Sequence, residues 1–204
     1  MRRSFAKPRS TSRARRGFSL IELMVTVAVA AVLLALAIPS FRGTLISNQL
    51  TTAANDWVAA VNMARAEAIK RNTNVMVCGA NTPGSGLGSN ADGHADGGCS
   101  AALAGQVRYV PQSGGNPQTL RDAISPGLGE NVQVSSSRTI LFRPDGIGYD
   151  WNSVLNPYNT DAPDNDPPLV LLCSDALGAE NVRRINLVSG SIVETERDSV
   201  SPCP

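Results

Sequence analysis

Four cysteines, a lone histidine and one carboxylate set inside an apolar run are the residues of this chain whose types offer chemistry beyond packing. Cys78, Cys99, Cys173 and Cys203 lack the C-x-x-C spacing of a zinc knuckle, and His94 is the only histidine. The chemistry left to the cysteines is disulfide formation, which implies the periplasm or another oxidising space. Four cysteines allow three connectivities. Neighbour pairing, Cys78 with Cys99 and Cys173 with Cys203, is preferred because it brackets a glycine-rich loop and ties the C-terminal tail to a central strand. Such loops of roughly 20 and 30 residues each contribute about 3 kcal/mol by restricting the unfolded chain. Loss of the second bridge is expected to fray the residues after Glu194.

No catalytic constellation is found. There is no Gly-x-Ser-x-Gly and no Walker-type phosphate loop, and His94 sits in Asp92-Gly93-His94-Ala95-Asp96, a solvated loop by composition. Asp161, Asp164 and Asp166 offer hard oxygens, but no glutamate closes a twelve-residue calcium loop around them. The expectation is therefore no enzyme, no metal and no cofactor.

The carboxylate is Glu22, the single charge in the 21 positions 18–38. That run is close to the ~20 residues needed to cross a bilayer as a helix. A carboxylate inside such a span costs roughly 2.5 to 3.5 kcal/mol on insertion scales, so it asks for a partner. Seven basic residues and no acid precede Gly17. They predict a cytoplasmic N-terminus and a head on the far side of the membrane. Without them, 18 minus 7 leaves 11 basic residues against 17 acidic ones, a net charge of −6. A net-acidic head is a poor general magnet for phosphate backbones. An ordinary secretory signal shares the basic and apolar regions, but here a small residue, Gly17, precedes the apolar run and an acid interrupts its start.

The string Arg16-Gly17-Phe18-Ser19-Leu20-Ile21-Glu22-Leu23 resembles the prepilin signature of type IV pilins and type II secretion pseudopilins. The resemblance implies cleavage after Gly17 by an inner-membrane prepilin peptidase and methylation of the new amine at Phe18. It places the family's membrane glutamate on Glu22, four residues from that amine. It also implies other pilins as partners through the helix, with inner-membrane lipid covering the helix before assembly.

Elements must position these residues. Beyond Pro39, expected to kink the helix, and Gly43, the residues Leu50, Ala54, Trp57, Val61, Ala64 and Ala68 recur at helical intervals of three or four. Glu67 and Arg71 form an i,i+4 pair on another side. A helix from Phe18 to about Arg71 follows, apolar all round over 18–38 and amphipathic over 39–72. After Asn74, β-rich runs separated by Gly, Pro, Asn and Ser predict strands at 74–78, 106–110, 132–134, 139–143, 169–173, 182–188 and 191–194. The organisation is a 1–17 leader, an 18–38 membrane and assembly helix, a 39–72 amphipathic helix and a 73–204 head. The fold class is α+β, one long helix packed on antiparallel sheet.

Val75-Met76-Val77-Cys78, Thr139 to Gly146, Leu171-Leu172-Cys173 and Arg183-Arg184-Ile185 before Gly190 resemble the GspH/FimT/FimU group of minor pilins and pseudopilins. Pro144-Asp145-Gly146 is equally a plain turn signal. The resemblance implies a structural subunit at the tip of a type II secretion pseudopilus or a type IV pilus. The alternative is a FimT-like minor pilin that binds DNA for uptake through Gly-Arg-x-Arg. This chain reads Gly190-Ser191-Ile192-Val193 there. Arg183 and Arg184 are the nearby basic residues, on opposite faces if the segment is a strand, and Glu194, Glu196 and Asp198 follow. DNA is not expected as a partner.

Overall fold

The computed structural model describes residues 17–80, 99–109, 111, 117–124, 128–151, 153–160 and 167–203. Most of the basic leader, His94 and the Asp161, Asp164 and Asp166 triplet lie outside the described residues. So do the side chains of 37–40, including Pro39, the expected kink. The chain divides into two compact units at Phe41/Arg42. One helix, α1 (Leu20–Arg71), contributes to both.

In the first unit every described side chain from Gly17 to Leu36 is exposed, among them Leu20, Ile21, Leu23, Val25, Val29, Leu33 and Leu36. No single helix among the described residues is long and apolar enough to cross a membrane; Leu20–Leu36 and Phe41–Arg71 meet that requirement as a pair, by length and composition.

In the second unit the predicted stripe is the centre of the core. Leu50, Ala54, Trp57, Val61, Ala64 and Ala68 are all fully buried, with Ala53 and Ala60 beside them. The alanines leave room for sheet to approach the helix closely on either side of Trp57. The helix stops at a Schellman motif: Asn72 takes the left-handed conformation at φ 50°, Asn72 N–H donates to Ile69 O and Thr73 N–H to Ala68 O.

Among the described residues ten strands follow: β1 (Val75–Val77), β2 (Val107–Tyr109), β3 (Gln118–Arg121), β4 (Gln133–Ser137), β5 (Ile140–Phe142), β6 (Gly148–Asp150), β7 (Ser153–Pro157), β8 (Val170–Cys173), β9 (Val182–Val188) and β10 (Ile192–Asp198). They form a six-stranded sheet in the order β3-β2-β1-β5-β6-β7 and a four-stranded sheet in the order β10-β9-β8-β4, all antiparallel. Alternation assigns the faces. Val75, Val77, Ile140 and Phe142 of the first sheet and Val170, Leu172, Ile185 and Leu187 of the second share one core with the helical stripe. Met76 and its register partner Leu141 point the other way, into a second cluster with Tyr149, Trp151, Cys78 and Cys99.

The α+β expectation holds, with differences in the strand list. β3, β6 and β7 were not predicted, because Gln118-Thr119-Leu120-Arg121, Gly148-Tyr149-Asp150 and a segment ending in Asn156-Pro157 lack a β-branched alternating pattern. β10 runs four residues past the predicted end at Glu194, through the polar Thr195-Glu196-Arg197-Asp198, because pairing with β9 continues to Val182. The sheets meet where Gly79 N–H donates to Thr139 Oγ1 at 2.8 Å and Ala80 N–H to Ser137 Oγ at 2.6 Å. A Cβ on Gly79 would lie 2.3 Å from the backbone carbon of Arg138, so only glycine fits that junction.

Trp57 is the largest wholly buried side chain of the helix, and removing it opens a cavity between the two sheets. Trp57→Ala is expected to destabilise the protein by about 3 to 5 kcal/mol in equilibrium denaturant unfolding. A loss below about 1 kcal/mol would mean that the stripe does not organise the core.

Candidate functional site

Gly17, Phe18 and Glu22 lie at the start of α1. Ser19 occupies the N-cap position, its carbonyl accepting from Leu23 N–H at 3.2 Å, and Glu22 falls in the first turn. A carboxylate there is favoured by the partial positive charge of the helix start. Ser-x-x-Glu is also a capping-box sequence, a local helix-start signal that fits the same four residues. Phe18 is 78% exposed. Glu22 makes no ion pair among the described residues. A free amine at Phe18 would supply a cation one helical turn away.

The structure joins Cys78 to Cys99 with Cα atoms 5.3 Å apart, and Cys173 to Cys203 at 5.9 Å. The first bridge is fully buried on the outer side of the six-stranded sheet, with Cys99 Sγ 3.7 Å from Met76 Sδ. The second links β8 to the C-terminal tail, which is held by more than sulfur. Cys203 N–H donates to Asp175 Oδ1 at 3.0 Å, Val200 N–H to Asn181 Oδ1 at 3.0 Å, and Asn181 Nδ2 to Val200 O at 2.6 Å. Cys173, Asp175 and Cys203 cluster, but both sulfurs are spent in the bridge and leave no thiolate for a metal. Because β10 stays paired to Asp198, the expected fraying on opening this bridge moves from the residues after Glu194 to those after Asp198.

Arg183 and Arg184 do face opposite ways. Arg183 is 2% exposed and points toward α1. Its guanidinium donates to Glu180 O at 2.7 Å and Val182 O at 3.0 Å, and reaches Ser47 Oγ and Thr51 Oγ1 at 3.5 Å. Burial, with the Arg197 cation adding to it, pushes its pKa down, against a smaller opposing pull from Glu180. Arg184 lies on the outer face in an ion pair with Asp198 at 2.6 Å. The Ser199 backbone N–H, and secondarily Arg184, hold the Asp198 carboxyl below its ordinary value of 3.8. That contribution is present above pH 3.8 and fades as pH falls through the lowered native value. These two arginines therefore do not combine into a basic surface.

A groove of about 760 Å³ runs beside α1, with Asn48, Gln49, Thr52 and Asp56 on one wall and Arg121 and Asp122 on the other. Arg121 clasps Asp56 through its carboxylate at 3.1 Å and its backbone carbonyl at 2.9 Å. The described lining contains no histidine, cysteine or serine.

A family model described as Type II transport protein GspH matches residues 53–190, about two thirds of the chain. A second, described as the prokaryotic N-terminal methylation motif, matches residues 12–38. No curated protein and no solved structure matches.

Two outcomes follow for the head. Arg183→Ala is expected to cost about 1 to 3 kcal/mol in denaturant unfolding, since it strands buried carbonyls, whereas Arg184→Ala costs less than about 1 kcal/mol. Equal, negligible losses would place Arg183 at the surface. Cys173→Ser with Cys203→Ser is expected to remove about 3 to 4 kcal/mol, with hydrogen exchange accelerated first after Asp198. Early exchange throughout β10 would show that the ladder cannot hold alone.

Proposed function

Since the chain belongs to the GspH family of type II transport proteins, a family of structural pseudopilins, we propose that it is made as a prepilin, cut after Gly17, methylated at Phe18 and built as a minor subunit into the tip of a type II secretion pseudopilus. The observation that carries this reading is the apolar surface of Leu20–Leu36, exposed on every side of the helix. Such a surface is stable only in lipid or against other helices. The match of residues 12–38 to the N-terminal methylation motif supports processing at its start.

Before assembly the helix is proposed to span the inner membrane once, with the leader cytoplasmic and the head periplasmic. The leader's seven basic residues support that orientation, and the two disulfides suit an oxidising compartment. Glu22 then has two environments. In lipid it is an isolated carboxylate that destabilises the span; among packed helices it pairs with the ammonium of Phe18, its own or a neighbour's, and fixes the axial register. Partners in this reading are the prepilin peptidase and other pseudopilins. A DNA-uptake role gains nothing from a buried Arg183 and a paired Arg184.

Glu22→Ala separates assembly from anchoring. The variant is expected to insert and be processed normally, to keep a folded head, and to lose cross-links to other pseudopilins together with secretion in a complemented deletion strain. Normal cross-links and normal secretion would remove Glu22 from assembly.

A further inference from the structure

The four ends of the two sheets differ in how they are finished. Among the described strands, β3 has four residues and its pairing with β2 carries a register shift. β7 is joined to β6 through another shift and ends in Pro157. β4 also pairs through a shift, between Val134 and Ser136. Bulges, short length, proline and charged side chains are the usual devices that stop an edge from taking up another strand. β10 has only the last of these, in Glu194, Glu196, Arg197 and Asp198. Its seven residues pair with β9 in unbroken register, contain no proline, and have no further strand beside them among the described residues, so the opposite row of backbone N–H and C=O groups lies at the sheet edge.

The side chains on that edge restrict what could pair with it. Glu194 and Glu196 are exposed, lie on one face at alternate positions, and make no hydrogen bond or ion pair among the described residues. Arg184 is the register partner of Glu196, yet its guanidinium is taken by Asp198. On the other face Val193 packs against the core and Thr195 is exposed. A second copy of β10 would set acid against acid, and like charges across strands destabilise pairing. Copies of this chain are poor donors for a further reason, the −6 net charge of residues 18–204.

We propose that the free edge of β10 docks an extended segment of another filament subunit, one that carries Lys or Arg at alternate positions and adds as a fifth strand to the four-stranded sheet. Backbone hydrogen bonds supply the attachment, and the cations opposite Glu194 and Glu196 select the partner and its register. That the donor is a filament subunit rests on the pseudopilin reading; the docking edge itself rests on β10 alone.

The probe is a blocked peptide alternating Thr and Lys over seven residues, with a Thr and Glu peptide of equal length as its counterpart. Each is added to the full mature chain in detergent while hydrogen exchange is followed by mass spectrometry. The Lys peptide is expected to slow exchange at residues 192–198, and the Glu peptide is not. Glu194→Lys with Glu196→Lys should raise the half-maximal peptide concentration by roughly tenfold, two cross-strand charge pairs of ordinary size being reversed. Glu194→Gln with Glu196→Gln should raise it by about threefold, and this pair serves if the charge reversal disturbs the fold. No protection, equal protection by both peptides, or variants that bind like the wild type would overturn the edge assignment. In cells, a photo-cross-linker at Thr195 should join another pseudopilin, and in the presence of these variants should not. Absence of cross-links with peptide binding intact would overturn the donor while leaving the family function untouched, because Glu22→Ala tests assembly through a different part of the chain.

Discussion

Burial of one face of α1 is the constraint on which the head depends. From Leu50 to Ala68 the helix presents Trp57 and Val61 flanked by alanines, and both sheets take their positions from that surface. Val75, Val77, Ile140 and Phe142 come from one sheet and Val170, Leu172, Ile185 and Leu187 from the other. Without the helix neither inner face would be covered, and ten strands of three to seven residues would have no common core. The outer cluster around Met76, Leu141 and Tyr149 is small, and the Cys78–Cys99 bridge sits within it as apolar cover and covalent tie together.

The same helix obeys a different rule from Leu20 to Leu36. There the apolar residues surround the axis instead of forming a stripe, and the one carboxylate lies in the first turn. A stripe is satisfied by the chain's own sheets; an all-round apolar surface is satisfied only by lipid or by other helices. The sequence thus encodes two solvents along one element. The switch between them is the physical content of the proposed pseudopilin role, in which Glu22 is the one carboxylate that passes from lipid to packed helices.

How much of this was legible beforehand follows from which physics is local. The helical stripe was readable because its period of three or four repeats over five turns, and all six of its residues are buried. The β-branched runs Val75-Met76-Val77 and Val182 to Val188 were readable because they are buried on both faces or alternate. β3, β6 and β7 were not, since Gln118-Thr119-Leu120-Arg121 and Gly148-Tyr149-Asp150 become strands through the neighbours they pair with. The inward turn of Arg183 was hidden for the same reason: in sequence it is one of two adjacent arginines, and only the packing of β9 on α1 decides which is buried. At the N-terminus the signal was strongest, because basic leader, glycine, apolar run and lone acid are all defined by order along the chain.

The central claim is that this order of residues is a processing and assembly signal, so that the functional chain begins at Phe18. Intact-mass and N-terminal peptide spectrometry of the protein purified from membranes of cells with an active prepilin peptidase tests it most directly. The account predicts a chain lacking residues 1–17 whose first residue is a methylated Phe18. Recovery of the full 204-residue chain with an unmodified leader would contradict it.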